Sequence, residues 1–228
     1  MVGKVNYCWR LFATASAYAL FGVGCIFIPL LALSLYLFNR NQYSRQKETR
    51  ILVHWTFKGY VHLIKLMRIM DWEVQGMEKL KRPGVLVVSN HPTLLDVVFL
   101  IAFMPNADCI IKNAILKNPI MSGIVSLSGY IKNDSGALLI EDAKKSLNYG
   151  NSLIIFAEGT RTNPDEKISF LRGAANIIIR TKTAPTPVII SCFPKTLSKE
   201  NQWYDIPNKK FNLTIRVLEE MEMNRFLV

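Results

Sequence analysis

The stretch GVLVVSNHPTLLDVVFLIAF, residues 84–103, decides how this chain is built. Its opening, GVLVVSN (84–90), is a continuous apolar run of the buried-strand type, and its end, DVVFLIAF (96–103), reads as a helix. Between them, Pro92 pushes His91 toward extended backbone and suits the opening of a helix. His91 therefore falls at a strand-to-helix corner, on the C-terminal edge of a sheet, where open α/β sheets bind ligands. A neutral histidine there can serve as a general base, with Asp96 orienting its ring. TLLD (93–96) also matches the S/T-x-x-D/E capping box, under which Asp96 only caps the helix. Within this stretch both readings stay open.

Outward from the corner, strands and helices alternate. DCIIK (108–112), NSLIIFAEG (151–159), APTPVIIS (184–191) and FNLTIRVLEEM (211–221) read as strands or strand starts. PIMSGIVSLSG (119–129) reads as a short helix or turn, and SGALLIEDAKKSLNYG (135–150) and RGAANIIIRTKTA (172–184) as helices. The expected fold class is α/β: a mixed, partly parallel sheet flanked by helices, with an N-terminal membrane-associated helical segment. The expected division is residues 1–70, an anchor with a basic amphipathic helix, and residues 71–228, the α/β domain.

The anchor rests on Ala13–Phe38, which holds no charge over 26 residues. About 20 residues cross the hydrocarbon core. ALS (32–34) offers a cleavage-like site, but the apolar stretch is too long for a signal peptide. Gly22, Gly24 and Pro29 leave a bent span or a re-entrant hairpin open. Lys4 and Arg10 precede the span, whereas Arg40, Arg45, Lys47 and Arg50 follow it, which puts the C-terminal bulk on the cytoplasmic side. Within Gln46–Asp71, Arg50, His54, Lys58, His62, Lys65 and Arg68 recur at steps of three or four. Such a stripe meets anionic headgroups on a surface-lying helix or forms the solvated polar face of a domain-packing helix.

Composition agrees with lipid contact. Half of the 228 residues are hydrophobic, and 28 Lys+Arg against 17 Asp+Glu give a net charge of +11. The mean hydropathy is positive, +0.18. A basic, apolar chain favours anionic lipid over nucleic acid, for which no recognition motif is present. Cys8, Cys25, Cys109 and Cys192 are too scattered for a disulfide framework or a zinc site. There is no G-x-S-x-G, no G-x-G-x-x-G and no P-loop, which disfavours serine hydrolase and nucleotide phosphoryl chemistry.

A second constellation is IIFAEGTRT (154–162). A buried strand delivers Glu158 to its end, and Gly159 permits a tight turn. Thr160 and Arg161 then offer a hydroxyl and a guanidinium, which suit a phosphate. Glu158 would repel that ligand, so it reads as an organiser held by Arg161.

Taken in order, NHPTLLD (90–96), FAEGTRT (156–162) and APTPVII (184–190) resemble the glycerophosphate and lysophospholipid acyltransferase family, over about Gly76 to Arg216. The resemblance implies acyl transfer from a thioester to a lysolipid hydroxyl, with His91 as base and Asp96 orienting it. It implies that Glu158, Gly159, Thr160 and Arg161 bind the acceptor phosphate and that Pro187 shapes the pocket. IIKNAILKNP (110–119) resembles the family's lysine-containing segment, so Lys112 is a further candidate for positioning phosphate or thioester. The implied partners are membrane lipid, a lysophospholipid acceptor, most simply 1-acyl-glycerol 3-phosphate, and acyl-CoA or an acyl carrier protein as donor. The chemistry needs no metal and no cofactor beyond that thioester, and backbone N–H groups near the corner are the expected oxyanion donors.

Two positions depart from the family pattern. Ala157 stands where a proline usually precedes E-G-T-R. SGYIKNDSG (128–136) lacks the arginine of the second motif, leaving Lys132 without a bidentate fork. The second departure keeps other acceptors open, a lyso-amino-acid lipid or a specialised polyene lipid among them. A non-catalytic membrane-binding module, with His91 and Asp96 structural, is the reading from another class.

Overall fold

The computed structural model describes residues 2–133, 136–161 and 169–223; of residues 2–5 and 37 the helical backbone alone is described. Asp134 and Ser135, at the start of the predicted helix 135–150, and Thr162 of FAEGTRT lie outside the described residues.

The chain opens with α1 (Val2–Phe38) and α2 (Gln42–Leu66), followed by β1 (Met70–Gln75) and a 3-10 turn at Met77–Leu80. The α/β part then runs β2 (Leu86–Ser89), α3 (Asp96–Phe103), β3 (Ala107–Ile111), α4 (Asn113–Leu116), α5 (Ser122–Ser128), β4 (Ile131–Lys132) and α6 (Gly136–Asn148). It closes with β5 (Ser152–Phe156), α7 (Arg172–Thr181), β6 (Pro185–Phe193) and β7 (Phe211–Val217). The seven strands form one sheet in the order β1-β7-β6-β2-β5-β3-β4. Every neighbouring pair is parallel except β6 with β7, so β1 and β7 run opposite to the other five. The mixed, partly parallel sheet expected from the sequence is the one observed.

Alternation along the central strands builds three layers. Val87 of β2 and Ile154 of β5 join the core under α2, α3 and α5, whereas Leu86, Leu153 and Ile155 point to the opposite face, against Ala143 of α6 and Ala174 and Ile177 of α7. Edge strand β1, MDWEVQ, buries only its first residue fully. It carries too little apolar alternation to stand out in the sequence.

The N-terminal segment is one helix that continues through Pro29, and not a hairpin. Its small residues Ala13, Ala17 and Ala32 are buried, together with Ile28. Small side chains let the helix backbone approach the domain closely. Phe12, Leu20, Ile26, Phe27, Leu30 and Leu31 are exposed on its other side. Near one end, Arg10 donates to the carbonyls of Pro207 (2.7 Å) and Asn208 (2.8 Å); near the other, the Tyr36 hydroxyl donates to Leu127 O at 3.3 Å. The helix is long and apolar enough to cross a membrane, by length and composition, yet it lies docked along the domain.

The basic stripe of α2 divides. Arg50 and His54 are buried. Arg50 Nε donates to Asn106 Oδ1 at 2.9 Å, its Nη1 donates to Ser128 O at 3.1 Å, and Asp108 Oδ2 lies 3.7 Å away. His54 Nδ1 meets Ile101 O at 2.8 Å. Burial pushes the Asp108 carboxyl up, and the Arg50 charge and the Ser146 hydroxyl bond pull it back. These two positions fit neither expectation: they are neither solvated nor at a lipid surface, and the buried cation is held by partners from the domain. His62, Lys65 and Arg68 stay exposed.

Candidate active site

β2 ends at Ser89, and the chain turns through Asn90–Leu95 into α3. Asn90 fixes the turn to the neighbouring strand: its Nδ2 donates to Ile190 O (2.8 Å), and Ile190 N–H donates to its Oδ1 (2.7 Å). An amide side chain supplies one donor and one acceptor here, as a strand residue would.

His91 Nδ1 lies 2.8 Å from Asp96 Oδ2. An ionised carboxylate only accepts, so Nδ1 carries the proton and Nε2 keeps its lone pair. Asp96 is fully buried. It also accepts from the Thr93 N–H (Oδ2, 2.7 Å) and the Thr93 hydroxyl (Oδ1, 2.5 Å). Burial pushes its carboxyl above the usual range, while His91 and Thr93 pull it back. Asp96 therefore bonds both Thr93, at the helix entry, and the histidine, while α3 itself starts at Asp96 behind Leu95 without a side-chain cap. The imidazole stacks on Phe156, the last residue of β5, with centroids 4.0 Å apart and planes 20° apart.

Glu158 follows β5 and is buried. Its Oε1 accepts the His91 backbone N–H at 2.9 Å; its Oε2 is buried and has no partner among the described residues. Gly159 turns the chain with φ +65°. Arg161 Nη1 donates to Leu197 O (3.1 Å) and Ser198 O (3.0 Å), on the strap 194–210 between β6 and β7. The expected Glu158–Arg161 pairing is replaced by Glu158–His91 and Arg161–strap contacts. Thr160 is exposed beside them.

The corner's own N–H groups are largely engaged. The N–H groups of His91, Thr93, Leu94 and Leu95 are already donated, to Glu158, Asp96, Leu197 O and Thr93 Oγ1, and Pro92 has none. Lys112 and Lys132 are exposed at the ends of β3 and β4, where Ile111 pairs with Lys132. They lie two and three strand spacings from β2, roughly 10 and 14 Å. Pro187 sits inside the sheet, opposite Val88.

An apolar cavity of about 420 Å³ runs beneath the corner between α1, α2, α3 and α5. Leu94 and Leu197 line it near the histidine, and Cys25, Ile28 and Tyr130 line it farther along α1. Phe156 and Asn90 open the two motifs but the sequence assigns them no role, and Thr93 reads there only as part of the capping box.

The fold and the corner together define an α/β sheet with a His–Asp pair on its C-terminal edge, an arginine beside it and an apolar cavity below. Residues 71–191 match the family described as Acyltransferase, and the chain belongs to that family. It is similar to the 1-acyl-sn-glycerol-3-phosphate acyltransferase of Saccharomyces cerevisiae, 28% identical over 152 residues, covering 61% of this chain and 50% of the relative. The protein of the same name from Helicobacter pylori is 31% identical over 118 residues, covering 46% of this chain and 47% of the relative. The chain spans about half the length of the curated relatives it matches. In fold it is similar to the crystal structure of the 1-acyl-sn-glycerophosphate (LPA) acyltransferase PlsC from Thermotoga maritima, with a TM-score of 0.70, 21% identity, and coverage of 99% of this chain and 89% of that one.

Proposed function

We propose that this chain is a membrane-associated O-acyltransferase that moves an acyl group from a thioester to the hydroxyl of 1-acyl-glycerol 3-phosphate. The observation that carries the reading is the His91–Asp96 pair, braced by Glu158 and set beside Arg161 above an apolar cavity. His91 Nε2 takes the acceptor hydroxyl proton as the oxygen attacks the thioester carbonyl. The tetrahedral intermediate collapses, the C–S bond breaks, and the thiolate leaves with the proton from His91. Asp96 holds the imidazole and stabilises its charged form during transfer. Arg161 donates through Nη1 alone among the described residues, and its Nε and Nη2 would meet the acceptor phosphate. The cavity takes the acyl chain, and the exposed apolar side of α1 rests in lipid, with the domain on the cytoplasmic face.

The test uses the full chain in detergent or nanodiscs with acyl-CoA, reading thiol release and product lipid. Lysophosphatidate-dependent release that disappears in His91→Ala supports the reading; release independent of His91 rejects it. A second reading keeps the chemistry and changes the acceptor. It is favoured by Lys132, an exposed ammonium far from His91 where the family pattern has an arginine. A panel of lysophosphatidate, lysophosphatidylglycerol and a lyso-amino-acid lipid decides by kcat/KM.

A further inference from the structure

Beside the N-terminal end of the apolar cavity lies a second concavity, a groove of about 1360 Å³. Lys65 and Arg68 at the end of α2, Lys209 and Lys210 before β7, Arg10 and Trp9 of α1 and a single carboxylate, Asp71, line it. Four exposed cations thus face one anion, with Arg10 buried at the wall and bonded to Pro207 and Asn208. That anion is already engaged: Lys210 donates to it, Lys65 Nζ lies 3.8 Å from it, and the Lys210 bond holds its carboxyl below the usual range.

Arg10 and Lys209 line the groove and the cavity alike, so the two adjoin. Their placement relative to His91 follows from the sheet. Asn212 of β7 pairs with Phe193 at the C-terminal end of β6, and Met70 of β1 pairs with Phe211. The starts of β1 and β7 therefore share the edge on which β2 delivers His91. With β6 between β2 and β7, the groove stands roughly 10–14 Å along that edge.

Two local features shape the wall of the groove. Arg68 adopts φ +59° just past the end of α2, where glycine or asparagine is the usual occupant. A bulky residue kept in that conformation signals a use for its side chain. Trp9 donates its indole N–H to Met67 O at 3.1 Å, which fixes an exposed aromatic ring at the rim. A bilayer meets flat or convex surfaces; these groups line a concave one.

We propose that this groove binds the phosphorylated nucleotide end of coenzyme A. The pantetheine arm passes from Lys209 and Arg10 to the thioester at His91, and the acyl chain continues into the cavity toward Cys25 and Ile28. The inference rests on the acyl-transfer reading and assigns the donor of that reaction. Trp9 offers its face to the adenine, and Lys65, Arg68, Lys209 and Lys210 meet the phosphates.

The test is calorimetric titration of free coenzyme A into the full chain in detergent at low salt. Binding weakens as salt is raised, because the contacts are charge pairs with partial exposure. The double variant Arg68→Asn with Lys209→Gln weakens binding at least tenfold. Asparagine tolerates the left-handed backbone at residue 68, so the fold is kept; thermal unfolding checks it. Should the pair unfold, Lys209→Gln alone weakens binding at least threefold. The preference in kcat/KM for acyl-CoA over S-acyl-pantetheine falls by a similar factor, because the shorter donor never reaches the groove. Unchanged coenzyme A affinity in the folded variants overturns the proposal. So does lost binding to phosphatidylglycerol vesicles with coenzyme A affinity retained, which makes the groove a membrane contact. Absent transfer with every acceptor, alongside groove-dependent coenzyme A binding, rejects the acyl-transfer reading and leaves the nucleotide site standing.

Discussion

The backbone N–H of His91 donates to the Glu158 carboxylate across 67 residues of sequence, at 2.9 Å. The two motifs are thereby one object. Parallel pairing of β2 with β5 brings their ends together, with Ser89 opposite Phe156, and Glu158 then spends its charge on the backbone of the histidine. It orients the residue proposed above as the base, which gives the carboxylate beside Arg161 a partner other than that arginine.

His91→Ala lowers transfer by about 10²–10⁴-fold, the usual worth of a general base, with the melting temperature little changed. Asp96→Asn lowers kcat by a similar order, because the amide no longer fixes the Nδ1–H tautomer. Asp96→Ala adds a stability loss of about 1–3 kcal/mol, since the Thr93 N–H and hydroxyl lose a buried acceptor. Full activity in either Asp96 variant would show that the carboxylate only caps α3.

Arg161→Ala raises the KM for the acceptor and frees the strap. Leu197 sits at φ +57°, and its carbonyl accepts from both Arg161 and the Leu94 N–H. Losing the charged donor exposes residues 197–201 to limited proteolysis, and Arg161→Lys restores only part of the protection, lacking the planar fork. Equal cleavage rates in parent and Arg161→Ala would disprove the anchoring role.

Two glycines with left-handed backbones differ in what surrounds them. At Gly84 (φ +70°) an added methyl meets nothing closer than 3.9 Å, whereas at Gly76 (φ +75°) it falls 2.6 Å from the Val217 carbonyl oxygen. Gly84→Ala costs about 1–2 kcal/mol from backbone conformation alone. Gly76→Ala costs about 1–3 kcal/mol more, because the carbonyl belongs to the β7 backbone and yields poorly. Chemical denaturation of the two variants gives the order.

Thiol chemistry reports on the core. Burial pushes the Cys109 and Cys192 thiols up to about 12, so at pH 8 almost no reactive thiolate forms there. Cys8 is exposed. Maleimide at pH 8 labels Cys8 rapidly, and Cys109 and Cys192 only once the chain is unfolded, read by mass spectrometry. Rapid labelling of Cys109 in the native state would contradict its placement against Asp108.

Much of this was legible before any coordinates. α3 begins and ends where DVVFLIAF does, because Pro92 and the following apolar run leave little choice. β2 and β5 announced themselves by buried-strand composition. Strands β1 and β4 did not: one is a polar edge strand and the other has two residues. The cationic stripe of α2 was ambiguous for a physical reason. A spacing of three or four places Arg50 and Lys58 on one side of a helix, but burial depends on Asp108 and Asn106, which come from a distant strand and loop. The same limit hid the corner's occupied N–H groups, since Leu197, which takes one of them, lies a hundred residues beyond.

The clamp between Arg10 and the carbonyls of Pro207 and Asn208 joins partners 197 and 198 residues apart. On a ribosome adding about 5–20 residues per second, the first helix waits roughly ten to forty seconds for the segment it must hold. Its other partners arrive sooner: Phe57 and Tyr60 of α2 meet Phe21 and Ala17 well before the strap is made. The two ends of the helix are thus secured at different times, and the Arg10 end is the last to be tied down.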